Sequence, residues 1–245
     1  MAARNTRNQP APPPPLAPQR SAGKKLADAL SILLALALIV VSLVGLLDEG
    51  ADLQSLGDVI HLVFGRRATV GLLAGHWQND SGAVCDDGLT EAEVNLAIAR
   101  ATADNLRSRG IDVEVLPEFD SRLNGFSARA FVAIHADSCV ALSGFKIARM
   151  THSDDPEAED RLVQHLYQSY AEATGLQPHM DTITEDMRQY HALRRISPDT
   201  PGAIIETGFL GGDRYLLTEQ QDRVAAGIAE GIAAFLAEAQ TEAAD

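Results

Sequence analysis

From Ala29 to Leu47 the chain reads ALSILLALALIVVSLVGLL without a charge, the length an α-helix needs to cross a bilayer, roughly 20 apolar residues. The stretch before it, residues 1–25, carries Arg4, Arg7, Arg20, Lys24 and Lys25 and no acidic residue, which predicts an N-terminus on the cytoplasmic side. A cleavable signal peptide would have a shorter apolar core, about 7–15 residues, and a small-residue cleavage site. Here Leu46-Leu47-Asp48-Glu49 follows instead. Residues 26–47 are therefore expected to be an uncleaved anchor that places the bulk of the chain outside the cytoplasmic membrane.

That exported bulk is acidic. The formal charge is −14 overall and +5 in residues 1–25, which leaves −19 for residues 26–245. Nucleic-acid binding depends on neutralising phosphates, so nucleic acid is excluded as a partner. Residues 8–19 (NQPAPPPPLAPQ) cannot build a core and belong to a cytoplasmic proline-rich basic tail, residues 1–25. Residues 48–67, apolar at Leu53, Leu56, Val59, Ile60 and Val63, have the spacing of a short juxtamembrane linker helix. Residues 68–240 remain for one globular domain.

In that domain short β-rich runs alternate with longer helical patterns. Strands are expected at Thr69–Leu73, Asp112–Leu116, Phe131–His135, Gly144–Met150 and Ala203–Ile205. Helices are expected at Glu91–Arg109, Pro156–Ala173 and Thr218–Ala239. This alternation predicts an α/β fold with a mainly parallel sheet and helices on both faces.

Three polar residues each end a buried-looking strand: His76 after Val70–Gly75, His135 after Phe131–Ile134, and Glu206 after Ala203–Ile205. In open α/β sheets sites form at the C-terminal strand edge, where loops converge. A fourth candidate is Glu91. Thr90 and Glu93 fit a capping box, which occupies Glu93 and leaves Glu91 free in the first helical turn, where the macrodipole favours an ionised carboxylate. Two imidazoles and one carboxylate make a catalytic zinc set with a position left for water, and Glu206 would then serve as general base.

The segments Leu73-Ala74-Gly75-His76, Gly82-Ala83 and Glu91 through Ala99, then Phe131 through Asp137, Gly144, and Ile205-Glu206-Thr207-Gly208-Phe209-Leu210 follow one another in the chain. Together they resemble the zinc-dependent N-acetylmuramoyl-L-alanine amidases of the third type, over about residues 68–240. The resemblance implies one Zn2+ held by His76, Glu91 and His135, Glu206 as the catalytic carboxylate, and peptidoglycan as substrate. Two other readings share this scaffold: a peptidoglycan-binding or regulatory module without activity, and a zinc carboxypeptidase acting on the stem peptide, with Arg129, Arg194 or Arg195 taking the substrate carboxylate.

Where the family commonly has Asp-Pro before its Gly-His, this chain has Leu73-Ala74, and Leu73 removes a possible acceptor for a ligand histidine. Trp77 either lines the cleft as a substrate contact or caps the strand end. His191 and Arg194, shortly before the Glu206 strand, are candidate substrate contacts. Cys85 and Cys139 lie in the loops after His76 and His135. They could be bridged, packed as thiols or ligate metal; their even number and an exported compartment favour a bridge. His61, His152 and His165 read as structural or solvated.

Overall fold

Strand formation follows the apolar runs. In the computed structural model, which describes residues 70–242, the strands are Val70–Ala74 (β1), Val113–Pro117 (β2), Ala130–Asp137 (β3), Lys146–Ala148 (β4) and Gly202–Phe209 (β5). The tail, the apolar run 29–47 and the linker 48–67 all lie outside the described residues. Among the described residues no helix is long and apolar enough to cross a membrane.

The five strands form one sheet in the order β2-β1-β3-β5-β4. All neighbours are parallel except β4, which runs antiparallel to β5 at the edge. Every residue of β1 is buried, as are Ala130–Ala136 of β3, the continuous apolar pattern of strands covered on both faces. The expected Gly144–Met150 strand shrinks to three residues. The Glu206 strand grows to eight, because Gly202 before the short apolar run and Glu206 and Phe209 after it also pair with β3.

Helix ends are set by local chemistry. The first helix, Glu91–Ser108 (α1), starts at Thr90, whose side chain accepts from the Glu93 amide while Glu93 reaches back to the Thr90 amide. The second, Pro156–Thr174 (α2), has Asp155 as N-cap and Pro156 in its first turn, and ends at Gly175 in the left-handed conformation. A short helix, Glu185–Arg188 (α3), precedes β5. The expected Thr218–Ala239 helix is preceded by a short helix, Arg214–Glu219 (α4), and itself runs from Gln221 to Glu242 (α5); Gln220 separates the two because its backbone leaves the helical region.

The two faces of the sheet are covered unequally. Val70, Leu72, Ala74, Val132 and Ile134 pack in one cluster with Val94 and Ile98 of α1, Leu162 and Leu166 of α2, and Ile228 and Ile232 of α5. Leu73, Leu116, Phe131, Ala133 and Ile204 point to the opposite face, where Leu123, Met187, Ala192, Leu193 and Ile196 cover them. Helices flank both faces as expected, but unequally: all three long helices share one face, and among the described residues the other is covered by a 3-10 turn (Ser121–Leu123), the short α3 and the turns 190–196. The cause is the β2-to-β3 connection. Residues 118–129 pass β1 with no room for a full crossover helix.

Cys85, after β1, is joined to Cys139, after β3, by a disulfide with a Cα separation of 5.5 Å across 54 residues of chain. Closing a loop of that length in the unfolded state is worth about 4 kcal/mol by chain entropy. The double variant Cys85→Ala/Cys139→Ala should therefore lower the unfolding free energy by up to that amount in denaturant titration, and mass spectrometry of the unreduced protein should find no free thiol. Two alkylatable thiols, or an unchanged unfolding midpoint, would contradict this.

Candidate active site

The register of the parallel strands brings the candidate residues level. Ala74 pairs with Ile134 and Ile134 with Ile205; one step further, His135 pairs with Glu206. His76 leaves the end of β1 with φ 64°, in the left-handed region that side chains with a Cβ seldom adopt and that is often found at functional sites. Its amide donates to Glu118 Oε2 at 2.6 Å, and its carbonyl accepts from the amides of Asn79 and Asp80. Glu91 reaches the same point from the N-terminus of α1.

These three side chains converge. His76 Nε2 lies 3.3 Å from Glu91 Oε2 and His135 Nδ1 lies 3.0 Å from Glu91 Oε1. One donor atom from each residue lies within 4.8 Å of the others. Glu91 and His135 are buried and His76 half-buried. Glycine is needed where the backbone approaches this cluster. A Cβ at Gly75 would sit 2.3 Å from the His135 ring, and one at Gly82, whose φ is +59°, would sit 2.6 Å from Glu91 Oε2.

The outer ring nitrogens fix which lone pairs face inward. Tyr190 has one hydroxyl proton and donates it to Glu118 Oε1 at 2.6 Å, so His135 Nε2, 2.9 Å from the same hydroxyl oxygen, donates to it. That leaves His135 Nδ1 as the nitrogen directed at Glu91. His76 Nδ1 donates to Asp80 Oδ1 at 2.5 Å, which leaves Nε2 inward. Both imidazoles are thus oriented by a partner on the far nitrogen, as metal-ligating histidines usually are. Asp80 supplies the acceptor that Leu73 cannot: Leu73 is fully buried in the second-face core.

Three members of this network, Asp80, Glu118 and Tyr190, were not singled out from the sequence. Glu118, buried just beyond β2, accepts from the His76 amide, Tyr190 and His191 Nε2, the last at 2.7 Å, and lies 3.7 Å from His135 Nε2. It ends a strand as His76 does, so the strand-end rule applied to Pro117-Glu118 could have found it. Tyr190 is separated from the site by the whole of α2 in sequence and carries no motif.

The electrostatics are those of a cation site. Burial opposes ionisation of Glu91, but hydrogen bonds to His135 and His76 outweigh it and hold its carboxyl far below the usual range. Burial likewise opposes ionisation of Glu118, but the bond from His191 and the charge of His135, helped by Tyr190 and the His76 amide, bring it down to about 2. His76 is raised to about 9, chiefly by its bond to Glu91. His135 is raised despite burial, by Glu91 and the charges of Glu206 and Glu118. Without a metal, protons occupy the imidazoles; a divalent cation would displace them.

Glu206 behaves differently. Its Oε2 is buried without a hydrogen-bond partner among the described residues. Burial pushes its carboxyl up to about 7, against the favourable charge of His135 and with the repulsion of Glu91 and Asp137. Lys146, its register partner on β4, is buried and paired with Asp137 at 2.6 Å. A partnerless carboxyl poised near neutrality beside a potential metal set can exchange protons with a bound water or substrate.

The remaining candidates divide. Trp77 packs against the long-helix core with the Arg100 guanidinium 5.9 Å from its ring centroid, the position of a cap. His191 joins the Glu118 network, and His191, Arg194 and Tyr190 line a cavity of about 370 Å³. Arg129 donates to the Leu236 carbonyl of α5, and Arg195 to Asn124 and the Asp120 carbonyl. Neither is placed to receive a substrate carboxylate at the cluster. His165 pairs with Glu238, and His152 is exposed; His61 lies outside the described residues.

Comparison with known proteins agrees with this geometry. The profile of a family described as N-acetylmuramoyl-L-alanine amidase matches residues 70–234. The chain is 31% identical over 146 residues to N-acetylmuramoyl-L-alanine amidase AmiC of Neisseria meningitidis, an alignment covering 53% of this chain and 35% of that relative, so it spans about a third of the relative's length. The solved amidase AmiC2 of Nostoc punctiforme superposes with a TM-score of 0.51 at 26% identity, covering 70% of this chain and 98% of that one. An amidase from Clostridium difficile 630 superposes with a TM-score of 0.54, covering 70% and 98% of the two chains; at 23% identity it speaks to the fold alone.

The pH dependence of stability follows from the raised carboxyl. A group protonated more readily in the folded chain adds stability below its ordinary pKa of 4.5, and loses it as pH rises through about 7. In chelator, the stability of the wild type relative to Glu206→Gln should therefore fall between those two pH values and stay level above. Thermal unfolding of both proteins across that range tests it; parallel curves would remove the assignment.

Proposed function

Because the chain belongs to the N-acetylmuramoyl-L-alanine amidase family, whose profile covers residues 70–234, we propose that it is a zinc hydrolase. Its target would be the amide between the lactyl group of N-acetylmuramic acid and L-alanine in peptidoglycan. The observation that carries this reading is the convergence of His76, Glu91 and His135 beside Glu206, whose buried Oε2 has no hydrogen-bond partner among the described residues.

The donor set fits zinc. Two imidazole nitrogens with their lone pairs turned inward and one ionised carboxylate form a three-residue set that leaves a coordination position open. Zinc held there would supply Lewis acidity, polarising the amide carbonyl and acidifying water. The protein groups do the rest. Asp80 and Tyr190 hold the two rings so that neither ligand must reorient during turnover. Glu206, raised to about 7 by burial, takes a proton from the attacking water and returns it to the departing alanine nitrogen, acting as base and then as acid. No covalent intermediate with the protein is needed.

His191 and Arg194 line the cavity that opens beside Tyr190. There Arg194 is suited to a carboxylate of the stem peptide. The apolar run 29–47 would hold this domain on the outer face of the cytoplasmic membrane, where its substrate lies. Arg129 and Arg195 are bonded elsewhere and Arg194 would serve either reading, so it is the family match over residues 70–234 that favours the amidase over the carboxypeptidase.

Digestion of purified peptidoglycan should yield new lactyl carboxylates and free L-alanine amino groups, and chelator should abolish both. Glu206→Gln should keep zinc and lose turnover by about 10²-fold or more, whereas His76→Ala and His135→Ala should lose both; wild-type turnover in Glu206→Gln would refute the role given to it. Protease added to intact spheroplasts should release a fragment that begins after residue 47; a protected domain would reverse the proposed topology.

A further inference from the structure

Phe119 has no part in the core. It lies 58% exposed, between two residues whose carboxylates are both engaged: Glu118 in the histidine network and Asp120 with the Arg122 guanidinium. Its ring nevertheless has a fixed place, stacked on His191 at 4.3 Å between centroids and 20° between planes. His191 is held in turn by Glu118 at 2.7 Å and lies against Tyr190, 4.6 Å between centroids. Glu118 is the residue that accepts the His76 amide, and Tyr190 the one that contacts His135.

We infer that the Phe119–His191 stack is a platform for a sugar ring of the glycan strand, set beside the metal cluster. The inference rests on the reading of the cluster as an amidase site, since the scissile amide then joins a sugar to a peptide and each needs its own flank. A pyranose presents a face of C–H groups that packs on an exposed aromatic ring, and such contacts are most productive when the ring is ordered before binding. Here the ordering is supplied by bonds that also hold the metal ligands.

Charge separates the two flanks. A stem peptide brings carboxylates and needs cations. The arginines around Phe119 are already bonded, Arg122 to Glu114 and Asp120 and Arg195 to Asn124 and the Asp120 carbonyl. Two carboxylates also adjoin the ring in sequence. A neutral N-acetylated sugar suits that surface. Arg194 lines a cavity with Tyr190, His191, Glu185 and Asp186; unlike Arg122 and Arg195, its guanidinium is in none of these bonds, and it suits the peptide.

The test uses ligands that lack the scissile amide, so wild-type full-length protein in detergent can be titrated without turnover. A neutral oligosaccharide of β-1,4-linked N-acetylglucosamine, which offers the N-acetylated rings of the glycan strand without a lactyl carboxylate, is compared with free stem tripeptide by calorimetry. Phe119→Ala should weaken glycan binding about tenfold and leave tripeptide affinity unchanged, and Phe119→Tyr should restore the glycan affinity. Equal glycan binding by Phe119→Ala and wild type, no glycan binding by wild type, or a loss confined to the tripeptide would each overturn the platform. Phe119-dependent glycan binding in a protein that fails to digest peptidoglycan would sustain the platform and sink the amidase reading alone.

Discussion

The whole site depends on the register of three parallel strands. With Ala74, Ile134 and Ile205 level across β1, β3 and β5, the residues just beyond them arrive at one edge, and His135 and Glu206 fall on the same face. A slip of one residue would send either to the opposite face. That face is the one without long helices, since His135 shares it with Phe131 and Ala133, and Glu206 with Ile204. The short β2-to-β3 connection that keeps a crossover helix off this face therefore also determines what surrounds the cluster. Glu118, Tyr190 and His191 come from the thin layer that takes the helix's place.

Electrostatics then select the occupant. Glu91, Glu118 and Glu206 bring three carboxyl groups to a largely buried volume, with the imidazoles of His76, His135 and His191 adjoining them and Lys146 committed to Asp137. Burying several like charges is costly unless they are compensated. Protons on the imidazoles compensate Glu91 and Glu118, and Glu206 meets the cost by keeping its own proton to about 7. A divalent cation between the inward nitrogens and Glu91 would compensate the same charges at one point and free the imidazole protons. The carboxylates that hold protons on the imidazoles of the metal-free site are what make it receptive to a divalent cation.

Much of this was legible in the chain because the relevant signals are local. Apolar runs ending in His76, His135 and Glu206 marked both strands and edge residues, and the Thr90–Glu93 box separated the capping glutamate from Glu91. Asp155-Pro156 and Gly175 marked the two ends of α2. What was not legible depends on distance in sequence. The uneven covering of the sheet follows from strand order, which periodicity does not encode. Tyr190 and Asp80 matter only because of the ring nitrogens they meet. Phe119 reads as an exposed turn residue until the fold sets His191 against it. Trp77 was open to two readings because its sequence neighbours do not reveal that the long-helix core lies beneath it.

Glu118 joins these levels. One carboxylate accepts from the backbone of the β1 loop and from two consecutive side chains in the layer over the second face, and lies 3.7 Å from a nitrogen of the β3 histidine. Groups that share a buried acceptor are energetically coupled, because removing one donor changes the field and geometry felt by the others. The orientation of the candidate ligands and the placement of the residues lining the cleft are therefore not independent properties of this fold. A change that shifts Tyr190 or His191 also moves the carboxylate that holds the His76 turn, so cleft shape and the geometry of the candidate ligand set are bound to vary together.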